Sequence, residues 1–173
     1  MRKLLLAVAL SFMPILLAPL SAQQPAAAVP DQMPFDVPYG PSITAERAAQ
    51  VVAAAVAEAG RSPRNWKLAI AVVDPQGDLV YFYKMDQTQV ASTNVAIGKA
   101  RTAARFRRPT QAFFDAMQTA AGAYVPTLDP TLVASPGGVP LIENGQIIGA
   151  IGCSGATGGQ DAVACNAGAA TVR

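Results

Sequence analysis

Five basic side chains crowd ten residues: Lys99, Arg101, Arg105, Arg107 and Arg108. On a helix, Arg101 and Arg105 share a face, while Lys99 lies with Thr102 and Phe106 at i+3 and i+7. The planar arginine fork matches carboxylates, so the cluster reads as an anion site for a small organic acid. It reads equally as a solvated helix face whose basic end complements the helix dipole. Ser135-Pro136-Gly137-Gly138-Val139-Pro140 is richer in Gly and Pro than a generic connection. Its amides either line a pocket or form a tight entry to a hairpin. Asp161 is placed to cap the last helix.

The chain has no histidine. That removes the commonest general base, the commonest metal ligand and every triad built on imidazole. The acidic residues are scattered, with no Asp/Glu-x-x-Glu pair to hold a metal. Cys153 and Cys165 are the two cysteines. With no His to activate a thiol, a strand-to-helix disulfide is expected over two free thiols or a thiolate nucleophile.

Gly149, Gly152 and Gly155 recur at spacing three and raise the prospect of a phosphate-cradling loop. That chemistry needs a strand, the glycines and a helix in a parallel βαβ unit. Asn144-Gly145, however, is a strong hairpin signal between two apolar runs, which makes the strands antiparallel. The glycines are therefore read as sites where a helix or another subunit approaches the sheet closely.

The elements that must position these residues follow from local signals. Thr44 caps a first helix that Gly60 ends. Leu68–Val73 and Leu79–Met85 are strands joined by the Asp74-Pro75-Gln76-Gly77 turn. A second helix spans about Ala91–Phe106, and Thr110 caps a third to about Ala121. A loop follows, with a short strand expected near Leu132-Val133. Val139–Glu143 and Gln146–Cys153 form the second hairpin, and a final helix opens near Gln160-Asp161. The order predicts an α+β layered fold on an antiparallel sheet.

Residues 1–22 carry Arg2 and Lys3, an apolar run from Leu4 to Leu20 and a small-residue cut site after Ala22. That is the layout of a signal peptide, so the protein is expected to be periplasmic or secreted, with no membrane attachment after cleavage. Loss of Arg2 and Lys3 leaves 11 basic against 11 acidic residues, a balance that argues against nucleic acid as a partner. Residues 23–42 hold five prolines and read as a Pro-rich arm, with Met33, Phe35, Val37 and Tyr39 alternating as in a packing segment. Residues 43–173 form one domain.

Three stretches carry a resemblance. "GGVPLIENGQIIGAIGCSGATGGQD", "KARTAARFRRPT" and "ITAERAAQVVAAAVAEA" with "LAIAVVDPQGDLVYFYKMD" occur in the order found in the GlcG/HbpS family. These are small domains described as haem-binding or haem-degrading, related to the C-terminal domain of some corrinoid adenosyltransferases. The resemblance spans about residues 43–172. It implies a five-stranded antiparallel sheet flanked by helices, profilin/roadblock-like, and a homo-oligomer. It implies a small-molecule ligand, haem or a related tetrapyrrole, bound between the second helix and the Gly137–Pro140 turn. The expected ligand-binding residues are Lys99, Thr102, Arg105, Phe106, Gly137, Gly138, Val139 and Pro140. With no histidine, an axial ligand to haem iron would come from Met85, Met117, Tyr81, Tyr83 or Tyr124. The alternatives are an enzyme acting on haem or a small organic acid, and a ligand-free oligomeric interaction protein.

Overall fold

The structure is a computed structural model and describes residues 33, 35–61 and 63–172. The proposed signal peptide and most of the proline-rich arm lie outside the described residues. Met33–Arg173 is one compact unit. Its elements run α1 (Ala45–Gly60), β1 (Ala69–Val73), β2 (Leu79–Lys84), α2 (Ser92–Arg105), α3 (Gln111–Met117), a 3-10 helix (Ala120–Thr127), β3 (Gly138–Glu143), β4 (Gln146–Ser154) and α4 (Gly158–Ala169).

The sheet is antiparallel throughout, in the order β2-β1-β4-β3. Both hairpins form where their turns predict, and Asn144 and Gly145 take φ of 50° and 75° in the second. β1 is buried on both faces. Ile70 and Val72 join a core under α1 and α4, with Val51, Ala55 and Ala164. Ala69, Ala71 and Val73 join a second core under α2, with Ala96, Ala100 and Ala103. This unit is thus three layers, with α1 and α4 on one face of the sheet and α2 on the other.

The sheet has four strands among the described residues, not the expected five. The segment near Leu132-Val133 lies over α2 instead of along a sheet edge. Its Val133 N–H donates to the Thr102 hydroxyl at 3.0 Å, and the Val133 side chain sits against Gly98. The arm instead pairs with β4 beyond the end of β1, on the side of β4 away from β3. Tyr39 bridges Ile147 in parallel, and the N–H groups of Gly40 and Ile43 donate to the Ile147 and Ile148 carbonyls. Pro38 and Pro41 lack the N–H groups a regular ladder needs, so the contact stays short.

Candidate functional site

Lys99 projects from α2 into the protein and is only 1% exposed. An ammonium so far from water needs acceptors. Its Nζ donates to Asp161 Oδ2 at 2.8 Å and to the Cys153 carbonyl at 3.0 Å. Asp161, in the first turn of α4, also accepts from the Ala156 N–H at 3.0 Å. Burial pushes the Asp161 carboxyl above its ordinary range, against the pull of the Lys99 hydrogen bond and charge and of backbone N–H groups. Gly137 roofs the pair at φ 112°; a Cβ there would lie 2.8 Å from Asp161 Cβ and 3.2 Å from Lys99 Nζ. A Cβ at Gly138 would strike the Lys99 carbonyl oxygen. Four segments therefore meet at one buried ion pair: α2, the end of β4, the start of α4 and the turn into β3.

The structure brings Lys99, Gly137 and Gly138 together and sends the other expected residues elsewhere. Thr102 is buried and holds Val133. Phe106 packs edge-on against Phe113, with ring centres 5.1 Å apart. Val139 and Pro140 pair with Ile151 and Ala150 as part of the ladder. Arg105 donates through Nε to the Gln76 carbonyl, and Arg101 to Gly77, so the two arginines on one face grip the first hairpin turn. Arg107 and Arg108 hold the arm. Arg107 lies 3.6 Å from Asp36 and over the Tyr39 ring, and the Arg108 guanidinium sits 4.1 Å from the Phe35 ring centre.

Two members of this arrangement were not evident from the sequence. Asp161 is the partner of Lys99 rather than the cap of α4; Thr157 caps that helix in a capping box with Gln160. Thr110 is buried at the joint and makes no cap on α3. Its hydroxyl donates to the Ser135 carbonyl at 2.7 Å and accepts from the Gly138 N–H at 2.9 Å. The available signal was charge bookkeeping: a lysine on an alanine-lined helix face needs a carboxylate from another segment.

Cys153 and Cys165 form a disulfide, with Cα atoms 5.8 Å apart. It ties β4 to α4 directly beside the joint. With its ends 12 positions apart in sequence, chain entropy assigns it about 3 kcal/mol. Replacing both cysteines by alanine is expected to lower stability by about 2–4 kcal/mol, read as the unfolding free energy from urea curves, with a steeper slope because the uncrosslinked chain unfolds further.

Two openings lie away from the joint. A cavity of about 580 Å³ sits at the start of α1, lined by Thr44, Glu46, Arg47, Glu143 and Ile148 among others. A cleft of about 350 Å³ lies between α1 and β2, lined by Ala and Val from the helix and by Tyr81 and Tyr83 from the strand. The five iron-ligand candidates separate accordingly. Met85 accepts the Leu68 N–H through its sulfur at 3.4 Å. Met117 and Tyr124 are exposed on α3 and the 3-10 helix. Tyr81 and Tyr83 line the apolar cleft.

Known proteins are similar to this chain in sequence and in fold. GlcG from Escherichia coli strain K12 is 38% identical over 112 residues, which is 65% of this chain and 81% of GlcG. A crystal structure of a double mutant of Streptomyces reticuli HbpS is similar, with a TM-score of 0.69 and 28% identity over 86% of this chain and 99% of HbpS. A structure described as a PduOC:heme complex shares the fold at 24% identity, with a TM-score of 0.68 over 76% of this chain and 96% of that one. The family described as haem degrading protein HbpS-like matches residues 43–170, across all four strands and all four α-helices. The chain belongs to that HbpS-like family.

Proposed function

We propose that this is an exported protein that binds a small ligand, haem or a related tetrapyrrole. The observation that carries the reading is the family match over 43–170, in a group whose fold includes a structure described as a haem complex. Binding is favoured over turnover by the state of the polar groups. Lys99 and Asp161 are 1% and 3% exposed at their side chains and are spent on each other, so neither is open to abstract or deliver a proton to a ligand. The Lys99–Asp161 pair, roofed by Gly137 and Gly138, then acts as scaffold.

Export is supported by the basic and apolar layout of residues 1–22 and by a disulfide that suits an oxidising compartment. Self-association is supported by Phe114, Met117, Tyr124 and Leu128, large apolar side chains left 39–58% exposed around α3 and the 3-10 helix.

The test is a haemin titration of the purified chain lacking residues 1–22, followed at the Soret band. A saturable shift at low micromolar haemin is expected. A shift no larger than that given by an unrelated neutral protein overturns the reading.

A further inference from the structure

We propose that the tetrapyrrole lies in the α1–β2 cleft, with the phenol oxygen of Tyr81 or Tyr83 as the axial ligand to iron. This inference rests on the function proposed above and gives it a location. The cleft lies where α1 runs beside the edge strand β2. Tyr81 and Tyr83 stand on the α1 side of β2, opposite Val72 and Ile70 in the ladder, and Tyr83 is 45% exposed. The facing wall of α1 is Ala49, Ala53, Val56 and Ala57. Methyl groups at i, i+4 and i+8 leave a shallow, straight channel that admits a flat ring against the helix.

Three features select the occupant. The walls are apolar apart from the two phenols, so the body of the ligand is apolar and the polar contact is made at one place. Phenolate is an established axial ligand of ferric haem, and a chain with no histidine has to use another donor. Arg61 follows α1 as its C-cap, and its side chain is 69% exposed with only a 3.6 Å pairing to Glu58. An exposed guanidinium just past the end of α1 suits a carboxylate at the edge of a flat ligand. At about 350 Å³ the cleft holds part of a macrocycle and leaves the rest open to solvent.

The experiment is haemin titration of the exported chain as purified, beside Ala53→Trp, Tyr81→Phe, Tyr83→Phe and the double tyrosine variant. Ala53 is exposed, so tryptophan there fills the cleft without entering the core. Ala53→Trp is expected to weaken haemin binding at least tenfold. One single tyrosine variant, and the double variant, are expected to lose the visible charge-transfer band of a ferric phenolate complex. Tyr124→Phe and Met117→Leu serve as controls and are expected to leave the affinity and the spectrum unchanged. Far-UV circular dichroism establishes that each variant is folded. Wild-type binding that is unaltered by Ala53→Trp and by the double tyrosine variant overturns the cleft while leaving tetrapyrrole binding standing. Absence of binding to the wild type overturns both.

Discussion

Lys99→Met is expected to cost about 3–5 kcal/mol, the range for removing one partner of a buried ion pair. The loss arises less from the missing attraction than from what remains. Asp161 would be left with a side chain 3% exposed and a charge balanced only by backbone N–H groups. Its carboxyl already stands above the ordinary range through burial, and Lys99 supplies the two largest opposing influences. Methionine removes both, so the carboxyl rises further. A group whose folded pKa exceeds its unfolded value of about 3.9 contributes stability at low pH and loses it as pH rises through the folded value. The variant is therefore expected to lie closer to wild type at about pH 5 than at about pH 8, and urea midpoints at the two pH values measure it. Lys99→Met with Asp161→Leu is expected to recover much of the loss, because it leaves no orphaned charge. A single-variant loss below about 1 kcal/mol would mean that water reaches the pair.

That joint also marks where reading the sequence stops. Local signals placed α1, both hairpins and the start of α2 closely, because each rests on neighbours in the chain: the Thr44 cap, Asp74-Pro75-Gln76-Gly77 and Asn144-Gly145. Arg101 and Arg105 were grouped correctly on one face, yet their role depended on a turn more than twenty residues earlier. Asp161 looked like a cap because caps are local, whereas its partner is 62 residues away. Arg107 and Arg108 looked like an anion site, and their contacts are Asp36, Tyr39 and Phe35 of the arm. The arm's proline content precluded regular structure, and its alternating Met33, Phe35, Val37 and Tyr39 read as a packing segment; Phe35 and Tyr39 do dock, but on arginines that the sequence had grouped as an anion site. The third helix was expected to run to about Ala121, but it ends at Met117 and the chain continues as a 3-10 helix containing Pro126. The apolar cleft had no local signature at all, since it forms between α1 and β2, which only the fold brings together.

Gly152→Ala is expected to cost about 4 kcal/mol or more, or to prevent folding, although it adds one methyl group. Gly152 lies in β4 between Ala71 of β1 and Gly138 of β3. A Cβ there would fall on the Ala96 carbonyl oxygen and 2.5 Å from the Ala100 nitrogen. Both are backbone atoms of α2, so no rotamer change relieves the clash; the helix has to move away from the sheet. Ala96, Ala100, Ala103 and Ala104 are fully buried in that contact, and moving α2 outward opens a void along all of them. Lys99 is the neighbour of Ala100, so the same displacement draws its ammonium away from Asp161 and Cys153. The damage at Gly152 is thus coupled to the damage at Lys99, and the two substitutions together should cost less than their separate sum. Gly159→Ala is the control, because its Cβ meets open space inside α4 and alanine favours the helix. It is expected to be neutral or stabilising by up to about 1 kcal/mol. The measurement is the urea midpoint at constant slope for both glycine variants and for Gly152→Ala combined with Lys99→Met. A loss below about 1 kcal/mol at Gly152 would show that α2 does not rest on the strand backbone, and would remove the reason this sheet needs a glycine there.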